Sequence, residues 1–270
     1  MLPNLGNPTP LHLKYAEQLR DSLPEEVKTA VREPLDAVAL IYAMLLSPNE
    51  TTRASQLAEL AKRVSPEIYG KTTTLFPDVS SAAAHAHLPM VNIALGALRQ
   101  LQAEQFAQFS KTLQWLIQSD GKVELFEFVL QKIVLRHLAP QFGAARPAVV
   151  QFYDIKPLVP DCLVVLSALA YVGGNNASDV GKAFDAGASY LRAPADVSVT
   201  LLPLDQCRLN QIDPALNRLA QAVPQIKKNL LDACVQTVAA DGVIQEKEAE
   251  LLRAIADTLD CPMPPLGISE

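Results

Sequence analysis

Apolar residues recur every three or four positions along most of the chain, as in Ile226, Leu230, Cys234 and Val238, or Leu251, Ile255 and Leu259. That spacing is the buried stripe of an amphipathic helix. Alternation of period two is scarce, and short pieces such as Val197 to Leu202 read as loops. The pattern therefore predicts an all-α protein. Proline is frequent, 20 residues, and is expected between the periodic segments, where it starts helices or punctuates loops. Ser22-Leu23-Pro24-Glu25, Ser65-Pro66-Glu67 and Asp213-Pro214 each read as a helix start with its cap. Residues 1–20 read as a linker or entry segment, and 21–270 as a multi-helix domain, in one body or two lobes.

Two apolar stretches raise the question of a membrane. Val79 to Leu98 is free of Asp, Glu, Lys and Arg but holds His85, His87, Pro89 and Asn92, which argues against a span. Cys162 to Gly174 is too short to cross and ends in Gly-Gly-Asn-Asn, the mark of a core helix followed by a turn. The start, MLPNLGNPTPLHLKY, lacks the charged beginning and long apolar centre of a signal peptide.

An internal repeat carries more information. Leu113-Gln-Trp-Leu-Ile-Gln-Ser-Asp120-Gly121-Lys-Val123-Glu-Leu-Phe-Glu127 lies over Cys234-Val-Gln-Thr-Val-Ala-Ala-Asp241-Gly242-Val-Ile244-Gln-Glu-Lys-Glu248, sharing Asp-Gly-x-(Val/Ile)-x-x-x-Glu. At the same offset Phe109 falls on Leu230, Ile117 on Val238, Leu130 on Leu251, Val134 on Ile255 and Leu138 on Leu259. The repeat copies thus cover about 103–138 and 224–259, a helix, a turn and a second helix each.

A structural reading accounts for every repeated residue. Each Gly ends a helix in the left-handed conformation, each Asp bonds loop amides, Val123 and Ile244 plug the turn into the core, and each Glu lies near the positive end of the next helix. A second reading starts from the likeness to the latter half of a calcium-binding EF-hand loop. The first half is missing, because its ligand positions hold Leu116 and Gln118 in one copy and Thr237 and Ala239 in the other. What is left open is a weak divalent-cation site built from Asp120, Glu127, Asp241 and Glu248 together.

Charge narrows the partners. With 29 acidic against 23 basic residues, a formal charge of -6 and no run of Lys or Arg, the chain offers no footprint for a phosphate backbone, so nucleic acid is not an expected partner. Cys162, Cys207, Cys234 and Cys261 form no C-x-x-C pair and read as reduced thiols of a cytoplasmic protein.

The turn Ala239-Ala240-Asp241-Gly242-Val243-Ile244 with Glu248 resembles the motif of the TerB-like helical domains, over roughly the last fifty residues. More broadly, Ser119 to Glu127 and the closing Leu251 to Pro262 resemble the C-terminal region of large bacterial membrane zinc metallopeptidases of the HtpX and CAAX-prenyl protease family. The resemblance implies a membrane-embedded protease domain followed by a soluble helical extension on its cytosolic face, of which this sequence is the extension. It also implies that zinc belongs to the protease domain alone, since the family's His-Glu-x-x-His helix has no counterpart here.

Other candidates carry blander meanings. Gly70-Lys71-Thr72 imitates the end of a phosphate-binding loop, but Ser65 and Pro66 stand where the pattern begins, and a helix-ending Gly is expected. His85 and His87, two apart, point to different faces of a helix and have no third ligand near. His137 suits the end of a helix. Trp115, Phe106, Phe109 and Phe126 are expected in the core, with Phe128 the first to suspect in a docking groove. No Gly-x-Ser-x-Gly elbow or recognisable Cys-His arrangement appears. The sequence thus predicts no catalytic or cofactor-binding residue in this chain. Its expected role is a regulatory or interaction domain that meets a protein partner or its parent's protease domain, and reaches a membrane only through that parent. The alternative is a free-standing TerB-like protein responding to stress or metal.

Overall fold

The computed structural model describes residues 24–121, 123–143, 149–191 and 197–261, and every regular element among them is helical. The described residues divide into two compact units, the first over 24–143 and the second over 149–261.

The first unit contains α1 (Glu25–Ala30), α2 (Pro34–Met44), α3 (Glu50–Arg63), α4 (Pro66–Ser81), α5 (Ala84–Leu98), α6 (Ala103–Gln118) and α7 (Leu125–Leu138). Its centre is α2, whose sequence PLDAVALIYAM is apolar on every side and whose Ala37 to Ala43 are all buried. A helix apolar all round has no solvent face to offer and must be surrounded, and α1, α4, α5 and α6 pack on it. Asp36 at its start pairs with Lys71 of α4 at 2.8 Å. Tyr42 lies beside Phe109 of α6, with ring centroids 5.7 Å apart.

The second unit contains α8 (Val159–Gly173), α9 (Ala177–Ala188), α10 (Leu209–Leu219), α11 (Pro224–Val238) and α12 (Glu246–Thr258). Here α8 is the central helix, buried from Val165 to Ala170 and packed by the other four. The stretch Lys156–Gly173 is long and apolar enough to cross a membrane, but 56% of it is buried inside the protein, as a core helix requires. Asp161 at its start is buried, with Arg218 of α10 at 3.4 Å. Val79 to Leu98 is not one helix, for α4 ends at Ser81 and α5 begins at Ala84.

Proline marks helix starts at Pro34, Pro66 and Pro224, and Ser65 caps α4 by accepting from the Ile68 amide at 3.3 Å. It does not mark every boundary. Pro77, Pro89 and Pro214 lie inside α4, α5 and α10, so the helix start expected at Asp213-Pro214 falls instead at Leu209. Each interior proline has buried apolar neighbours, Leu75 and Val79, Leu88 and Met90, or Ile212 and Ala215, and their burial outweighs the one backbone bond proline forfeits. Gly70 likewise does not end a helix but lies within α4, where Lys71 serves the ion pair with Asp36. Of the Ser22-Leu23-Pro24-Glu25 signal, Ser22 and Leu23 lie outside the described residues, and α1 starts at Glu25. The entry segment 1–20 lies outside them too.

Candidate functional site

Each unit carries one Asp-Gly turn. In the first, α6 ends at Gln118, the Gly121 amide donates to the Gln118 carbonyl at 3.2 Å, and Gly121 adopts φ 77°. In the second, α11 ends at Val238, the Gly242 amide donates to Ala239 at 3.1 Å, and Gly242 adopts φ 81°. Both glycines are therefore left-handed, as expected from sequence. A Cβ at either would meet no atom within 4 Å, so the cost of a side chain there is backbone strain alone. Replacing either Gly by Val is expected to destabilise its unit by roughly 1 kcal/mol or more, read from thermal melts. Unchanged melting in both variants would remove the conformational argument.

Beyond the glycine each turn closes on a reciprocal cap. The Glu124 amide donates to Glu127 Oε2 at 3.0 Å at the start of α7, and the Gln245 amide donates to Glu248 Oε2 at 2.8 Å at the start of α12. The repeated Glu is thus the third residue of its helix, satisfying an amide that the helix itself leaves unpaired. Asp241 accepts from the Val243 amide at 2.9 Å. Twelve aligned helix residues are buried: Phe109, Leu113, Ile117, Leu130, Val134 and Leu138 in one unit, Leu230, Cys234, Val238, Leu251, Ile255 and Leu259 in the other.

Val123 and Ile244 do not plug the core, and the expectation that they would is corrected. They are 43% and 41% exposed, and Val243 is 64% exposed. The space between the paired helices is already filled by the residues just named, so the link between glycine and cap runs over the outside. Phe128 is corrected in the opposite sense: it is buried in α7, which packs on α5 and α6, and cannot line a docking groove. Trp115 is only half-buried, with the Arg63 guanidinium 4.6 Å above its ring. Phe106 and Phe109 are in the core as expected, and Phe126 sits against the His87 ring, centroids 5.3 Å apart. His87 Nε2 is 3.1 Å from the Val79 carbonyl oxygen. The side chain of His85 lies outside the described residues. His137 lies in the last turn of α7, at the helix end expected from sequence.

The four carboxylates singled out in the sequence are divided between the units, Asp120 and Glu127 in one, Asp241 and Glu248 in the other. Among the described residues no group of three or more His, Cys, Asp or Glu side chains is placed to hold a metal ion. Burial pushes the Glu127 carboxyl up to about 7, with repulsion from Asp120 and Glu124 adding to it against the Glu124 amide. Glu248 is 5% exposed and is raised for the same chief reason, burial, again with an acidic neighbour, Asp241. Half-buried Glu250 of α12 is pushed up to about 7 as well, by burial and by Glu246.

A carboxyl raised by folding prefers its neutral form in the folded state, so its contribution is most favourable below pH 4.5 and is lost as pH climbs through about 7. Glu127→Gln keeps the bond to the Glu124 amide while deleting the charge. The variant is expected to melt higher than the parent at pH 8 and no higher at pH 5, the difference opening between those values. Equal melting at both pH values would contradict the burial of an uncompensated charge.

Sequence reasoning missed two side-chain amides, one half-buried and one buried. Gln245 Nε2 donates to the Gly173 carbonyl at 2.8 Å, joining the start of α12 to the end of α8, and a Cβ at Gly173 would collide with the Glu248 carboxylate. The pair Gln245 and Glu248 has the spacing of a cap, which was a legible signal. Gln56 of α3 had none. Its side chain accepts from the Ser47 amide at 2.8 Å and donates to Ser119 Oγ at 2.8 Å, bridging the end of α2 to the first Asp-Gly turn.

Chemically the turns hold carboxylates and amides but no activated nucleophile. The four cysteines are free; burial pushes the Cys162 thiol up to about 12 and that of Cys207 up to about 11, so both stay protonated and unreactive near neutrality. The chain matches no family model, no curated protein and no solved structure.

Proposed function

We propose that this chain is a non-catalytic binding and regulatory region in which the two Asp-Gly hairpins are copies of one TerB-like motif. We assign it to the cytoplasmic C-terminal part of a membrane zinc metallopeptidase of the HtpX and CAAX-prenyl protease family. The observation that carries the reading is the equivalence of the hairpins, one in each unit. Both have a left-handed Gly, a Glu that caps the second helix, and buried residues at all six aligned helix positions. The central helices add to it, since each begins with a proline and an aspartate paired to a base, Pro34 and Asp36 with Lys71, Pro160 and Asp161 with Arg218. A duplicated scaffold without a nucleophile or metal-ligand helix suits recognition better than turnover.

In this reading any zinc chemistry belongs to the parent's protease domain, and the partner is that domain or a second protein. The gene's full reading frame tests the assignment: an in-frame His-Glu-x-x-His and hydrophobic spans upstream are expected. A frame without either would favour the second reading, a free-standing TerB-like protein responding to stress or metal.

One feature keeps that second reading in play. Glu127 is crowded by Asp120 and Glu124, a field that a cation would relieve. A weak divalent-cation site using Asp120, Glu127, Asp241 or Glu248 is therefore part of it. Calorimetry with calcium, magnesium and manganese, on the parent and on the double variant Asp120→Asn with Asp241→Asn, tests it. Weak or no binding is expected, because the EF-hand positions Leu116, Gln118, Thr237 and Ala239 supply no carboxylate, whereas sub-micromolar binding lost in the variant would favour the metal-responsive alternative.

A further inference from the structure

A solvated turn between two helices needs no large aliphatic side chains, and burying one is favourable. The second unit nevertheless places Val243 and Ile244 side by side on the outside, 64% and 41% exposed. Around them the charge is one-sided. Exposed Asp241 and Glu246 and half-buried Glu250 stand near the aliphatic pair in sequence against exposed Lys247 alone, while Glu248 is buried in the cap. In the first unit a single aliphatic residue, Val123, is 43% exposed, and it stands between Lys122 and Glu124 in sequence, so the charge around it is mixed.

An aliphatic tip among carboxylates is complementary to one kind of surface, an aliphatic anchor flanked by lysine or arginine. Contact of the aliphatic groups gives the affinity, while the acids steer a basic segment inward and repel an acidic one. We propose that the Val243-Ile244 tip is a docking point for a basic, aliphatic polypeptide segment of a partner. This rests on the reading of the chain as a binding region and names the chemistry of what it binds.

The test is fluorescence anisotropy with a labelled peptide of leucine and lysine at helical spacing, titrated with the whole chain in parent form, as Val243→Ser with Ile244→Ser, as Asp241→Asn with Glu246→Gln, and as Glu104→Gln. The last neutralises an exposed acid on α6, away from the turn in sequence. All these side chains are exposed, and Asn can still accept from the Val243 amide, so each variant should fold; circular dichroism checks it. Saturable binding weakened about tenfold in both tip variants, unchanged in Glu104→Gln and weaker at high salt is expected. No binding by the parent would overturn the proposal. So would binding that ignores the serine substitutions, since that is charge attraction without a docking tip. If the protease domain of a parent chain bound but the serine variant bound it equally well, the regulatory reading would stand and this inference alone would fall.

Discussion

Replacing Gly187 by leucine is expected to unfold the second unit or to destabilise it by at least about 3 kcal/mol, the largest effect of any single change considered. Gly187 lies in α9 where that helix crosses α11. A Cβ there would run into Thr237 Oγ1 and stand 2.8 Å from the Ala233 carbonyl oxygen. The second obstacle is backbone and cannot rotate away. Even alanine would push the helices apart, at about 1–3 kcal/mol. Gly181, on the same helix, provides the control. Nothing lies within 4 Å of its Cβ position, so Gly181→Ala should be neutral or stabilising by about 0.5–1 kcal/mol through helix propensity. Denaturant melts of the three variants check the prediction, and a Gly187→Ala protein as stable as the parent would contradict the α9–α11 packing.

Gln56→Leu is expected to cost about 2–4 kcal/mol, although leucine is close to glutamine in size and more apolar. The loss is in hydrogen bonding. Gln56 is 4% exposed, and its amide serves the Ser47 N–H, Ser119 Oγ and, at 3.4 Å, the Leu45 carbonyl. Each partner left buried without a substitute costs about 1–3 kcal/mol. Because Ser119 closes α6 immediately before Asp120 and Gly121, the variant should also loosen the turn. Hydrogen exchange at the Gly121 amide is expected to quicken by more than global destabilisation explains. A stability loss below about 0.5 kcal/mol would mean that water replaces the side chain and that the bridge is dispensable.

The helical class was legible because 3.6-residue periodicity is a property of neighbours in sequence, strong in α6, α11 and α12. The left-handed glycines were legible for the same reason, since a helix end followed by Asp-Gly is local chemistry. The interior prolines were not. Whether Pro89 ends a helix or sits within one depends on the burial of Leu88 and Met90 by other elements, which no local rule contains. Phe128 and the pair Val123 and Ile244 were misplaced alike, because their surroundings are decided by which residues already fill the hairpin. Gln56 was invisible because its partners are 9 and 63 residues away. Of the candidate site, the acids were legible as a spacing. The raised carboxyls of Glu127 and Glu248 arise from burial, which only packing decides.

The proposal that this chain is a binding region without a catalytic centre of its own is open to a direct assay. It is tested most directly by incubating the highly purified chain with a quenched-fluorescent peptide library, with and without added zinc. No turnover above buffer is expected in either condition, because the sequence contains no His-Glu-x-x-His helix to hold zinc and supply a base. Zinc-dependent cleavage that disappears in Asp241→Asn or Glu248→Gln would contradict it and place a catalytic centre at the second turn.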